Sequence, residues 1–184
     1  MAAFAAAVKI DSFAYMPVQD FGNAFSTFVA QNYGAGKVER IRKGIRSAAV
    51  SVFFFCMVIS AAVWLFARPL MRIFIPASET GIIEAGVHYL RIEGACYIGI
   101  GLLFLLYGFY RAVRKPGMSV VLTVISLGTR VALAYMLSSV PWLGVTGIWV
   151  SVPIGWALAD ITGIGWYIYR YRGGNFDDRP PLAP

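Results

Sequence analysis

The feature that most constrains the fold of this chain is the recurrence of apolar stretches of about 20 residues, the length at which a helix crosses a bilayer. Short joints that are charged or rich in Gly and Pro separate these stretches. Hydrophobic residues make up 59% of the 184 residues and charged residues 14%, whereas a soluble domain carries roughly a quarter charged residues. We therefore expect an all-α, polytopic transmembrane helix bundle, with the lipid bilayer as its principal partner.

Five membrane spans are predicted along the chain, at residues 4–29, 48–66, 87–110, 118–137 and 148–169. The first is the most polar and is expected to kink at Pro17. Between the second and third spans, Ser78 is expected to cap a helix that begins at Glu79. The predicted domain division is a helical bundle over residues 1–172 followed by a cytoplasmic tail over residues 173–184, which is polar, rich in proline and expected to be disordered.

The basic residues predict how the bundle is oriented. They concentrate in the joint NYGAGKVERIRKGIR after the first span, in RAVRKPG after the third span, and in the tail. Loops rich in Lys and Arg stay on the cytoplasmic side, so the carboxy terminus should be cytoplasmic and the amino terminus external. The net charge of +7 is thus explained by topology, and no nucleic-acid partner is expected. An external amino terminus with no visible signal peptide predicts that further spans precede this segment.

Catalytic and metal-binding motifs do not stand out in the sequence. The single histidine, His88, has no ligand spacing around it. No Walker loop, nucleophile elbow or paired-carboxylate motif is visible. Cys56 and Cys96 fall inside predicted spans and are expected to be buried thiols. We therefore expect a protein that is not an enzyme and that has neither a metal site nor a cofactor.

Ionisable residues inside the predicted spans are the best candidates for binding a cation or a substrate, because a charge in hydrocarbon is costly and is usually functional. The candidates are Asp11, Asp20, Glu93, Arg130 and Asp160. At about 1.5 Å per residue, Asp11, Glu93 and Arg130 should lie roughly 10 Å inside the outer face, and the other two deeper. We hypothesise that Arg130 neutralises Asp11 or Glu93. Two interpretations stay open, a carboxyl that alternates between a cation and a substrate, and a static ion pair that fixes the packing.

A second set of candidates is aromatic. Aromatic rings stack on organic cations, and the candidates for such contact with a substrate are Phe21, Phe25, Tyr97, Tyr107 and Trp156. Aromatic residues also pack the core of any helix bundle, so packing is the competing interpretation for each of them.

Three segments carry a resemblance to a known family. AAFAAAVKIDSFAYMPVQDFGNAFSTFVAQNYGAGKVERIRKG joins a Met-Pro inside the first span to Gln-Asn-Tyr-Gly-Ala-Gly at its end and a basic run beyond it. GFYRAVRKPGMSV and GVTGIWVSVPIGW follow in order. Together they resemble the eighth helix, the junction of the tenth and eleventh helices, and the start of the twelfth helix of multidrug and toxic compound extrusion (MATE) transporters. The resemblance implies a partial second lobe of such a transporter, helices eight to twelve of twelve.

The same resemblance implies a function for the parent transporter, which is secondary active efflux of cationic or amphipathic drugs in exchange for Na⁺ or H⁺ as the coupling ion. Its partners would be small organic cations and the missing amino-terminal lobe, and its location the bacterial plasma membrane. Some family members place an acidic cation ligand midway along helix ten, but the corresponding stretch here, 94–104, has no carboxylate. Two other interpretations stay open, a flippase for a lipid-linked precursor and a truncated fragment without transport activity.

Overall fold

The computed structural model describes residues 2–171, and every regular element in this range is an α-helix. The helices are α1 (Ala2–Gly34), α2 (Val38–Phe74), α3 (Thr80–Gly94), α4 (Tyr97–Ala112), α5 (Pro116–Ser138) and α6 (Gly144–Tyr171). The predicted all-α membrane bundle is confirmed. The predicted tail, 173–184, lies outside the described residues, so the domain division stays a prediction.

The basic segment after α1 is helical rather than a loop. The chain turns through Gly36, whose φ of +69° favours glycine, and α2 begins at Val38. The predicted joint therefore contributes the first turns of α2. The reason is an apolar stripe hidden among the charges, since Ile41 and Ala48 are buried seven residues apart while Arg40 is exposed.

The second predicted span continues well past residue 66. Helix α2 runs through Pro69 to Phe74 because Val63, Ala67 and Met71, four residues apart, keep one face buried. The next helix, α3, begins at Thr80 with Glu79 at its N-cap position. The predicted cap at Ser78 was wrong by one residue.

The third predicted span is broken in two. Helices α3 and α4 meet at Ala95 and Cys96 with a bend of 52°. Helices α2, α5 and α6 are long and apolar enough to cross a membrane, and α3 with α4 makes a fourth span if the bent pair counts as one. Helix α1 has 33 residues but is not in that set. The described chain thus supports three or four spans by length and composition, not the predicted five.

Glycine brings the helices close together at two crossings. A methyl group built on Gly108 of α4 would lie 2.6 Å from the carbonyl oxygen of Gly22 in α1. A methyl group on Gly155 of α6 would lie 2.5 Å from the carbonyl oxygen of Ser126 in α5. Small residues at such crossings are typical of membrane bundles, where close packing drives helix association. These two crossings hold α4 directly against α1, and α6 directly against α5.

Candidate functional site

The break between α3 and α4 lies beside a buried acidic residue. Glu93 is in the last turn of α3 and has no exposed surface, and Tyr97 is the first residue of α4. At the break, the Cys96 N–H donates to the carbonyl oxygen of Glu93 at 2.9 Å. A discontinuous helix in a membrane is tolerated where protein surrounds it, and such breaks are common at ion sites.

Asp11 of α1 joins this break from the neighbouring helix. It is buried, and its Oδ1 accepts a hydrogen bond of 2.7 Å from the Tyr97 hydroxyl. Helix α1 holds Asp11 at this depth because Ala7 and Ile10, on the same side, are buried in the core. Asp11 also interacts electrostatically with Glu93. Two predicted site residues, 82 positions apart, are therefore brought together with Tyr97; we call these three residues the outer acidic cluster.

The outer acidic cluster has unused acceptor capacity. Neither carboxyl oxygen of Glu93 has a hydrogen-bond partner among residues 2–171. A buried polar atom without a partner is costly and calls for an explanation such as an unseen ion or proton. Two carboxylates that share a dry site repel each other, so a proton or a cation between them would be stabilising. The chemistry of the cluster therefore suits the binding of one proton or one monovalent cation.

Arg130 is the basic residue that acts electrostatically on this cluster. It is half-buried on α5 and interacts electrostatically with both Asp11 and Glu93. Within the described residues, however, no carboxylate oxygen lies within 4.0 Å of its side chain; the two ion pairs found there are Lys43–Glu39 and Arg68–Glu84. Arg130 thus acts on the cluster at longer range, without the close contact that a static ion pair needs.

The other two acidic candidates lie elsewhere. Asp20 is on the exposed surface of α1. Asp160 is buried in α6, where a methyl group built on Gly99 of α4 would lie 3.8 Å from its Oδ2. Neither belongs to the outer acidic cluster.

The aromatic candidates do not form one site. Tyr97 donates to Asp11, Trp156 packs beside Gly99, and Phe25 is buried in the core. Phe21 of α1 is exposed and lines a separate cavity with Pro17 and Phe55. For Phe25 and Trp156 the structure fits packing in the core.

The cavity with a polar wall contains the predicted aromatic Tyr107, whereas Phe21 and Phe25 line two mainly apolar cavities elsewhere. The cavity with the polar wall measures about 440 Å³ between α1, α4 and α5, and its polar lining is Gln19, Asn23, Tyr107, Arg111, Ser119 and Thr123. Arg111 donates to Asn23 Oδ1 at 3.0 Å, and Thr123 Oγ1 donates to the Tyr107 hydroxyl at 3.4 Å. The sequence interpretation missed the polar residues of this wall, because Arg111 was interpreted only as a basic residue that fixes the orientation in the membrane. Arg111 lies one residue beyond the predicted third span and Asn23 lies six residues inside the end of the first, and neither position is a strong signal.

A multidentate metal centre is not found in the described part of the chain, where no three His, Cys, Asp or Glu side chains converge. The two carboxyls and the hydroxyl of the outer acidic cluster suit a proton or a monovalent cation better than a tightly held transition metal.

A family model decides the relationship of this chain to known proteins. The MatE model matches residues 1–136. The chain belongs to the MatE family. The resemblance seen in the sequence is thereby confirmed, and members of this family are transporters rather than enzymes.

Curated MatE relatives agree with this assignment. The chain is 24% identical over 172 residues to the probable multidrug resistance protein YoeA of Bacillus subtilis, covering 93% of this chain and 37% of that protein. It is 28% identical over 167 residues to YpnP of the same organism, covering 90% and 37%. It is also 24% identical over 155 residues to an FAD transporter of Shewanella oneidensis, covering 84% and 33%. The chain thus spans about a third of the length of these relatives.

Solved MatE-type structures share the fold. The MATE transporter ClbM, determined in complex with Rb⁺, superposes with a TM-score of 0.84 at 25% identity, covering 97% of this chain and 41% of that one. A mutant of the MATE transporter VcmN of Vibrio cholerae gives a TM-score of 0.85 at 20% identity, covering 97% and 40%. This coverage is consistent with one lobe of a two-lobed transporter.

Proposed function

We propose that this MatE chain is part of a transporter that expels organic cations or amphipathic drugs in exchange for a coupling cation, Na⁺ or H⁺. The observation that carries the proposal is the outer acidic cluster, where Asp11 accepts a hydrogen bond from Tyr97 at the break between α3 and α4 and interacts electrostatically with Glu93. The multidrug resistance proteins among the relatives supply the substrate class, and the Rb⁺ complex of ClbM is in keeping with a monovalent cation.

The mechanism follows from the charge balance of the cluster. With no cation bound, two negative charges face each other in a setting of low dielectric constant, which is unfavourable. Binding of one cation relieves this repulsion and draws α1 towards the α3–α4 break. Arg130 keeps the affinity moderate by repelling the bound cation, so that release remains easy. Alternating occupation of the cluster would then bias the rocking of two lobes about a central site.

The proposed setting is a bacterial plasma membrane with the carboxy terminus in the cytoplasm. The positions of the basic residues support this orientation. The partners in the proposal are the bilayer, the small organic cations and a second lobe that completes the transport path.

An anionic or lipid-linked substrate is the second candidate. It is favoured by Arg111, whose guanidinium lines the cavity between α1, α4 and α5, and by the relative named as an FAD transporter. This candidate predicts that Arg111→Gln abolishes transport of an anionic substrate and leaves efflux of an organic cation intact.

The proposed function is tested with the native protein that carries this chain, expressed in a bacterium whose own drug exporters have been deleted. Ethidium efflux and drug resistance are compared for Asp11→Asn, Glu93→Gln and the matched control Asp20→Asn. Asp20 lies on the same helix as Asp11 but is exposed. We expect the first two variants to lose efflux and the control to keep it. Unchanged resistance in Asp11→Asn and Glu93→Gln at normal expression would remove the cluster from the mechanism.

The coupling ion is identified in liposomes that contain the purified protein. Efflux is measured with an imposed sodium gradient and, separately, with an imposed pH gradient. Coupling to Na⁺ predicts transport in the first case, and coupling to H⁺ predicts transport in the second. Transport in neither case would contradict cation antiport.

A further inference from the structure

A second buried carboxyl lies on the far side of α4 from the outer acidic cluster. Tyr97, which holds Asp11, and Gly99, which contacts Asp160, are two residues apart in α4. At about 100° per residue they point in nearly opposite directions, and their depths differ by about 3 Å. Helix α4 therefore separates two acidic positions at nearly the same level of the bundle.

Asp160 is tightly enclosed. It is buried, and its Oδ1 has no hydrogen-bond partner among residues 2–171. A methyl group built on Gly99 would lie 3.4 Å from Cβ of Trp156 and 3.8 Å from Oδ2 of Asp160, so this carboxyl packs against the backbone of α4. These are ordinary van der Waals distances, so the carboxyl lies within contact range of α4 beside Trp156. An orphaned acceptor in such a place indicates an occupant that no protein atom provides.

Within residues 2–171, Asp160 has no salt-bridge partner. From α4, Tyr107 interacts with it electrostatically, and Tyr110 donates to the carbonyl oxygen of Gly163, one turn further along α6, at 2.6 Å. From α5, Arg130 acts on the outer acidic cluster instead. From α3, His88 reaches only the outer part of α6, near Thr146.

We propose that Asp160 is a second proton-binding site, separate from the outer acidic cluster and on the opposite side of α4. A proton suits it better than a metal cation does. Hard cations need several oxygen ligands, and Asp160 has one carboxyl enclosed by Gly99 and Trp156. A proton neutralises the carboxyl without any further ligand. When the proton leaves, the carboxylate must gain water, which requires α4 and α6 to separate along this seam. Asp160 thus links the charge of one side chain to the packing of two helices.

The experiment uses the native protein in its own membranes and the hydrophobic reagent dicyclohexylcarbodiimide, which attacks protonated carboxyls. Modified peptides are quantified by mass spectrometry across a series of pH values. We expect Asp160 to be modified at acidic pH and the modification to fall at least tenfold as the pH is raised into the alkaline range. Modification that is equal at every pH would overturn the proposal and would mean a permanently neutral structural acid. If the reagent cannot reach the buried side chain at any pH, the infrared comparison below decides, and the absence of a pH-dependent band from Asp160 there overturns the proposal.

Two further comparisons make the test specific. In the infrared spectrum at acidic pH, Asp160→Asn should remove a carboxylic C=O band that the parent protein loses on raising the pH. In the Asp11→Asn protein, the pH profile of Asp160 modification should be unchanged, because α4 lies between the two positions. Loss of that profile in Asp11→Asn would show one coupled site and refute a separate one. The proposed antiport can fail in efflux assays while this profile persists, so the two proposals are tested independently.

Discussion

The Tyr97 hydroxyl donates a hydrogen bond of 2.7 Å to Oδ1 of Asp11, joining the start of α4 to the amino-terminal half of α1. Both residues are buried. The bond connects a carboxyl to the point where the helix pair α3–α4 bends by 52°. The charge of Asp11 is thereby linked by one hydrogen bond to the bend, and the proposed coupling of cation binding to helix movement rests on this contact.

Tyr97→Phe should strengthen coupling-cation binding, because the Tyr97 hydroxyl donates to Asp11 and stabilises the unoccupied carboxylate, and it should leave the packing of the ring intact. A hydrogen bond to a charged group contributes about 1.5–3 kcal/mol, so the cation concentration for half-maximal efflux should change by about tenfold or more. The measurement is drug efflux as a function of the coupling-cation concentration. The matched control is Tyr15→Phe on α1, whose hydroxyl lies 3.4 Å from Ser12 Oγ and does not touch the outer acidic cluster. An equal effect of both variants would mean that the Tyr97 hydroxyl has no special role.

Arg130→Gln should raise the affinity of the outer acidic cluster for its cation. Arg130 interacts with both Asp11 and Glu93, and its positive charge repels any cation placed between them. Removing the charge should lower the half-saturating cation concentration severalfold and slow release, so maximal efflux should fall. Lys9→Gln is the control, since Lys9 is exposed on α1. A weaker affinity in Arg130→Gln would contradict this assignment and favour a role for Arg130 in holding the helices together.

Much of the fold could be predicted from apolar run lengths, but the break in the third span could not. The run around VHYLRIEGACYIGIGLL has no proline and reads as one continuous helix. The bend depends on tertiary packing: a methyl group built on Gly94 would lie 3.2 Å from Val63 of α2, so α2 passes close to the break. A contact between residues so far apart in the chain cannot be predicted from the local sequence. The start of α2 was missed for the opposite reason, because its charges masked a short apolar stripe.

The candidate site could be predicted in part. Asp11, Glu93 and Asp160 stand out because an acidic residue in an apolar run is rare. The sequence predicted a common depth for Asp11 and Glu93, but the hydrogen bond from Tyr97 was not accessible, since Tyr97 is one of 10 tyrosines and lies 86 positions from Asp11. The cavity wall was missed because Arg111 lies at the end of a span, where polar residues are ordinary, and because Asn23, inside the first span, carries no charge. Their pairing appears only when α1 and α4 are packed together.

The Arg68–Glu84 ion pair should add little to stability. Its N–O distance is 2.9 Å, but both side chains are more than half exposed, at 52% and 65%. Exposed pairs contribute at most about 1 kcal/mol. A double-mutant cycle with Arg68→Gln and Glu84→Gln, read by thermal unfolding in detergent, should give a coupling energy in that range that shrinks when salt is added. A coupling of several kcal/mol that is insensitive to salt would show that this pair is shielded in the complete protein.

Gly108→Ala should destabilise the bundle at the crossing of α1 and α4. The added methyl group would lie 2.6 Å from the carbonyl oxygen of Gly22, and that oxygen belongs to a helix backbone that cannot yield locally. Overpacking of this kind costs about 1–3 kcal/mol. The control is Gly128→Ala in α5, where nothing lies within 4 Å of the new methyl group and the better helix propensity of alanine should be neutral or stabilising. The measurement is the unfolding temperature of each variant of the native protein in detergent.

Because α1 and α4 also carry Asp11 and Tyr97, a lowered unfolding temperature in Gly108→Ala should be accompanied by weaker cation binding, whereas Gly128→Ala should change neither. Stability lost in Gly108→Ala without any change in cation affinity would mean that the outer acidic cluster keeps its geometry independently of this crossing.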